Sequence, residues 1–348
     1  MRQIPKQSGF SLVELLIAMI VGLILLGGIL NIFTNNQRTY TLLNGVSRLQ
    51  ENGRFALEVM NSEIRMAGFM GCFNLIDADS DSFINTVNTS SDDYVYQFDV
   101  SLDGYEGGSS SWTPTPDAYV TSNIINTTNN ITAVADTDIF IARRSDNNGC
   151  RLTSEQPNVS ADLKMNTCPS VSTGDIVLIS DCTKAAVFQV TSKTVQGGTG
   201  EDNVVHNTGT GTPGNSQKEL SNDSTDPFGE DASVFSFRTS TFFVGTNPAV
   251  VNNDGTLVPS LYVRESTGAS YELARGIEDM QVLYGEDMDD SGVPNRYVDA
   301  NDVTDMDNVL TVQISVTANS IDSVGTTGDG IVTRTFTSTM KIRNRGVM

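Results

Sequence analysis

The sequence predicts an α+β protein: one long N-terminal helix, membrane-spanning in its first half and amphipathic in its second, packed on an antiparallel β-sheet head with long loops. Three observations carry this expectation. Residues 10–33 are apolar apart from Glu14. Apolar side chains then recur every three to four positions as far as Ala67, with no proline between residues 10 and 66. Beyond that point apolar and polar residues alternate in short runs, the period of a half-buried strand.

Each element follows in order. Residues 1–9 form a short leader carrying Arg2 and Lys6. About 23 apolar residues across 10–33 suffice to cross a bilayer, and the basic residues ahead of them predict a cytoplasmic N-terminus. In the second half of the helix, residues 34–67, Leu42, Val46, Leu49, Ala56, Met60, Ile64 and Ala67 share a face, with Arg38, Arg48, Glu51, Glu58 and Arg65 elsewhere. The helix is expected to end near Gly68 or Gly71, with Gly27, Gly28 and Gly45 as points where it could bend. Residues 68–348 form the β-rich head. Val309 to Ala318 is its clearest strand, with Leu310, Val312, Ile314 and Val316 on one face. Further strands are expected over 138–144, 175–180, 186–191, 234–244, 260–264, 279–284 and 331–342. Two polar stretches, 80–132 and 195–231, read as surface loops.

The formal charge is −21, with 42 Asp and Glu against 21 Lys and Arg. Such acidity argues against nucleic acid as a direct partner and suits a solvated extracytoplasmic surface. The four cysteines, Cys72, Cys150, Cys168 and Cys182, fit the oxidising side of a membrane and lack metal-ligand spacing. Three pairings are open. The expected one joins Cys150 to Cys168, closing a short loop, and Cys72 to Cys182, tying the helix end to the sheet. His206 is the single histidine, which disfavours a zinc site and a nucleophile–histidine enzyme alike.

Glu14 is the outlier. A charge at membrane depth costs about 2.5 to 3.5 kcal/mol on the lenient insertion scales and persists where something pairs with it. A cut between Gly9 and Phe10 would create an α-ammonium on Phe10, four residues from Glu14 and on the same helical face. The segment Lys6-Gln7-Ser8-Gly9-Phe10-Ser11-Leu12-Val13-Glu14-Leu15 resembles the processing site of type IV prepilins and type II secretion pseudopilins. The resemblance implies that an inner-membrane prepilin peptidase cuts after Gly9 and N-methylates Phe10, and that Glu14 serves assembly. An ordinary secretory signal would instead be cut after its apolar run, which here exits into Leu30-Asn31-Ile32-Phe33-Thr34-Asn35. A plain uncleaved anchor would not need the carboxylate.

Later segments resemble the PilW family of minor pilins: Gln50 to Leu57 running into Ile64 to Cys72, Gly174 to Cys182, Glu272 to Asp289, and Met340 to Arg345. That resemblance implies a pilin-like fold and a single-pass inner-membrane precursor. It further implies a subunit at or near the pilus tip, partnered by other minor pilins, the major pilin and a tip adhesin. Two alternatives remain at this point: a J-type pseudopilin of type II secretion, and a membrane-anchored calcium-dependent binding module. The second rests on Asp287-Met288-Asp289-Asp290-Ser291-Gly292, where Asp287, Asp289 and Ser291 occupy ligand positions of a calcium loop and Gly292 its turn. The twelfth position is Val298 rather than the bidentate glutamate, so an acidic turn is the competing reading. Otherwise no cofactor is expected. Gly209 to Gly214 satisfies a dinucleotide-binding spacing without a following helical pattern, and Trp112 reads as a core plug or, alternatively, a partner anchor.

Overall fold

The computed structural model describes residues 9, 11–75, 81–88, 94–125, 130–156, 160–196, 200–325, 328 and 330–345. Its first element, α1 (Leu12–Met66), is one unbroken helix of 55 residues, about 80 Å long at 1.5 Å per residue. Gly27, Gly28 and Gly45 are all helical, so none of the expected weak points breaks it.

The strands in chain order are β1 (Phe83–Asn85), β2 (Leu102–Gly107), β3 (Trp112–Thr113), β4 (Thr132–Ala133), β5 (Ile139–Ser145), β6 (Cys150–Arg151), β7 (Asp162–Asn166), β8 (Ile176–Ser180) and β9 (Ala185–Gln189). After them come β10 (Ser192–Gln196), β11 (Glu201–Val205), β12 (Ser233–Val251), β13 (Leu257–Glu265), β14 (Ser270–Arg275), β15 (Ile277–Glu286), β16 (Arg296–Val298), β17 (Val309–Asn319) and β18 (Thr333–Lys341). The 19-residue β12 is the spine of the largest sheet. It pairs with β8 through Phe235 and Leu178, with β5 through Phe242 and Phe140, and with β13 through Phe243 and Tyr262. A second sheet, β16-β15-β17-β18, is antiparallel throughout, and a small third sheet runs β10-β11-β7.

The lower half of α1 lies on this framework. Gly45, Leu49, Gly53, Ala56, Leu57, Met60 and Ile64 form its buried stripe, packed with Val312, Ile314, Val316 and Phe336 of β17 and β18. Burial of Leu49, Leu57, Met60 and Ile64 stabilises the seam by roughly 6–12 kcal/mol as an upper bound. Leu42, expected on this stripe, is 37% exposed, because the head begins only at Gly45. Gly53 sets how closely helix and sheet approach: a Cβ there would stand 2.5 Å from the Phe336 ring.

Polar ties fix the helix around its buried stripe. Asn52 Nδ2 donates to the Arg275 carbonyl at 2.8 Å, and Asn61 Nδ2 to Ser338 Oγ at 3.1 Å. Glu63 accepts two hydrogen bonds from the Arg144 guanidinium of β5, at 2.7 and 2.9 Å. Past Met66 the chain turns through Gly68 and Gly71, both at positive φ. The Gly68 amide donates to Arg143 O, and a Cys72–Cys182 disulfide follows, its Cα atoms 4.8 Å apart. A second disulfide, Cys150–Cys168, closes an 18-residue separation beside β7.

All eight strands expected from the alternation are present, seven within a few residues of the expected limits and one, expected over 234–244, running on to Val251. The two polar stretches are not plain loops, and this is a correction. Residues 80–132 contain β1, β2, β3 and a short helical stretch over 118–125, while 195–231 contains β11. Tyr94, Val95, Tyr105, Trp112, Val120 and Ile124 bury themselves in a separate core against Ile139, Ile141 and Phe243. Their Ser, Asn and Thr neighbours masked this apolar set. Gly209, Gly211 and Gly214 lie in an irregular turn with positive φ and no helix after it.

Replacing Gly53 by Val should drive branched methyls into Phe336 and destabilise the head by roughly 1–3 kcal/mol. Gly27→Ala, where nothing lies within 4 Å, serves as the control. Thermal melts of the detergent-solubilised chain should show a lower midpoint for the first variant and no loss for the second.

Candidate assembly interface

From Leu12 to Asn44 every residue of α1 is exposed, although the run to Phe33 is the most apolar in the chain. Its most hydrophobic window has mean hydropathy 2.7 and no buried residue, so the helix is long and apolar enough to cross a membrane. Leu12 is 75% and Ile24 70% exposed, which leaves a side-chain surface in need of lipid or other helices. Near Phe33 the surface turns polar. Asn35 Nδ2 donates to Asn31 Oδ1 at 2.9 Å, and the Thr34, Thr39 and Thr41 hydroxyls donate back to carbonyls three or four residues earlier.

At the start of the helix Ser11 is the N-cap. Its Oγ accepts the Glu14 amide at 3.3 Å, while Glu14 Oε2 accepts the Ser11 amide at 3.4 Å, a reciprocal capping box. The Glu14 carboxylate thus points to the N-terminal end of the helix, where the free amides and the dipole favour negative charge. The amide it accepts, that of Ser11, belongs to the residue after Phe10 in the sequence. Gly9 is exposed with open space around it. Phe10, and the leader residues 1–8, lie outside the described residues. Ser11 received no role from the sequence reading, yet the Ser-x-x-Glu spacing of Ser11 and Glu14 was a readable signal for it.

The Asp287 loop is organised differently from a cation cage. Asp287 is 5% exposed, and its carboxylate accepts from the Asp289 amide, the Ser291 amide and hydroxyl, and the Gly292 amide, the last at 2.6 Å. Asn295 Oδ1 takes the Met288 amide at 2.6 Å. The first of the three candidate ligands thus serves as the acceptor for its own turn. Among the described residues no three Asp, Glu, His or Cys side chains converge as a metal group. The preceding Glu286, fully buried, holds the base of the loop by accepting from Arg296 at 2.7 Å and from the Thr304 and Asp305 amides. Sequence reasoning passed over Glu286.

Trp112 is 8% exposed, and its Nε1 donates to the Thr137 carbonyl at 2.8 Å, so it plugs the second core. His206 is fully buried, 3.3 Å from Gln156 Nε2 and against the Phe188 ring. Burial pushes its imidazole down to about 4, which keeps it neutral.

Two family models match the chain. One, described as Type IV Pilus-assembly protein W, covers residues 241–344, from mid-β12 through β18. The other, described as the prokaryotic N-terminal methylation motif, covers residues 4–30. Together they match a PilW-family type IV pilin. No curated protein matches.

Asp287→Ala should leave the Ser291 and Gly292 amides without an acceptor and cost about 1–3 kcal/mol. Wild type should melt at the same temperature in millimolar calcium and in chelator; a rise with calcium would show that the turn opens to a cation. A separate expectation concerns acid. His206 binds its proton more weakly folded than unfolded, so its contribution is complete above the ordinary value of 6.5 and is lost as pH falls through about 4. The loss should total roughly 3 kcal/mol, and His206→Gln should remove that slope from the pH dependence of stability. Burial raises Glu106 to about 7 and Asp138 to about 6, and these act in the opposite sense. The informative quantity is therefore the difference between variant and wild type at each pH.

Proposed function

We propose that this chain is a non-enzymatic minor pilin of the type IV pilus. It is read as made in the inner membrane with its N-terminus cytoplasmic, cut after Gly9 and N-methylated at Phe10 by a prepilin peptidase, and then passed to the periplasm and the pilus. The observation that carries this reading is the exposed apolar helix with one carboxylate in its first turn, projecting from a folded head. Such a surface fits lipid before assembly and other pilin helices after it. Glu14 would then neutralise the Phe10 ammonium within or between subunits. A place at or near the tip, beside other minor pilins, the major pilin and a tip adhesin, is favoured by the size of the head, which is hard to repeat along a thin filament. The match over 241–344 favours a pilus subunit over a J-type pseudopilin, and the closed Asp287 turn disfavours a calcium-dependent module.

The test separates processing, insertion and assembly. N-terminal sequencing of the assembled protein should begin at Phe10, and Gly9→Glu should block that cut. Glu14→Val should still insert and be cut but be recovered poorly in sheared pili. Deletion of the protein should abolish piliation and leave type II secretion intact. A mature protein beginning at Met1 or beyond Phe33 would overturn the pilin reading.

A further inference from the structure

Five exposed cations lie on α1, on β18 and just beyond β18 in this acidic molecule. Arg54 and Arg65 of α1, Arg334 and Lys341 of β18, and Arg343 just beyond it are all exposed. None of the five forms an ion pair among the described residues; the other cations without one, Arg38, Arg48, Arg151, Lys164, Lys218 and Arg264, are spread over α1, β6, β7, a loop and β13. Arg54 and Arg65 border β18 at Met340, Arg334 lies over the Phe336 ring on the side of β18 that meets α1, and Lys341 alternates to its other face. Among the described residues β18 ends its sheet and pairs with β17 alone. Among the described residues its outer backbone groups meet no other strand. Between that edge and α1 runs a groove of about 420 Å³ lined by Arg54, Leu57, Asn61, Arg65 and Met340, with Glu58 as its one carboxylate.

We infer that the open edge of β18 receives an acidic extended segment of a different polypeptide, added as a further strand. An unpaired edge supplies the backbone donors and acceptors. The groove takes the side chains that point toward α1, and the arginines select carboxylates on the incoming strand. A second copy of this chain is the weaker occupant. Pairing two β18 edges about a two-fold would set the Arg334 end of each against the Lys341 end of the other, and like charges opposite one another are destabilising. Nor do its other edges fit, since the strands that end the sheets elsewhere among the described residues, β1, β3, β4, β6, β7, β10, β14 and β16, carry at most one carboxylate each. The inference rests on this border and not on the pilin reading.

The experiment titrates the detergent-solubilised full chain with three fluorescent peptides, alternating Glu/Val, Gln/Val and Lys/Val, and follows amide hydrogen exchange with and without each. The Glu/Val peptide should bind tightest, weaken with salt and slow exchange over residues 333–341. Arg54→Glu/Arg65→Glu should weaken it roughly tenfold, since each reversed rim charge loses an attraction and adds a repulsion. Both residues are exposed and without an ion pair. Although a glutamate at 65 opposes the end of the α1 dipole and one at 54 faces Glu58, the melting temperature should fall by only a few degrees, so the folded chain is what is titrated. Arg151→Glu, exposed on another sheet, should leave binding unchanged. Four results would each overturn the inference: no binding by any peptide, equal binding of the Lys/Val peptide, protection mapping away from β18, or peptide-free dimers that protect 333–341.

Discussion

The close approach of α1 to β17 and β18 governs the rest of the molecule. Gly53 lets Phe336 lie directly against the helix backbone, and Leu49, Met60 and Ile64 continue the same contact upward. Because that stripe starts at Gly45, everything before it leaves the head as a free rod. Helix geometry then fixes a projection of about 50 Å for residues 12–44. The far end is equally constrained, since Glu63 and Gly68 both bind β5 and Cys72 is bonded to Cys182 between β8 and β9. A rod held so firmly at one end can present the other as a single rigid surface.

The acidity of the head has a structural meaning besides solubility. Many of its carboxylates face backbone amides: Asp138 takes Gly107 and Val282 of two strands, while Asp202 takes Cys168, Asp181 takes Thr183 and Lys184, and Glu286 takes Thr304 and Asp305 outside the strands. Asp287 belongs to this set. Glu14 does the same at the start of α1, but there the surroundings are apolar side chains and not a folded turn. One chemical habit thus stabilises irregular backbone in the head and, at the tip of the rod, leaves a carboxylate able to exchange its amide for a stronger cationic partner.

Much of this was legible in the sequence because it depended on periodicity. The helix from residue 12 to 66 and the alternation of Val309 to Ala318 announce themselves over many residues, and local register decides them. What stayed hidden depended on distant partners. Tyr94, Val120 and Ile124 look isolated among Ser, Asn and Thr until β5 and β12 bring a core to them. Gly53 reads as a flaw in a helix until Phe336, 283 positions later, occupies the space that its missing side chain leaves. The ligand-like spacing of Asp287, Asp289 and Ser291 described a turn correctly and left open what the first carboxylate would bind. At the N-terminus, the positions of Gly9, Ser11 and Glu14 along the chain already contained the local geometry, because a capping box spans only four residues.

The Cys72–Cys182 crosslink also determines how the molecule would carry tension. It lies where the helix hands over to the head, with a sequence separation of 110 residues between its ends. A pull between the rod and the later strands passes across the sulfur bridge, so the enclosed polypeptide bears no load. At about 3.4 Å per extended residue, some 370 Å of contour cannot be drawn out while the bond lasts. Strands β1 to β8, with the part of the second core from Tyr94 to Ile141, therefore sit in a mechanically sheltered loop. Stretching the chain would have to begin in the segment beyond Cys182, by shearing β12 and the antiparallel sheet under the helix.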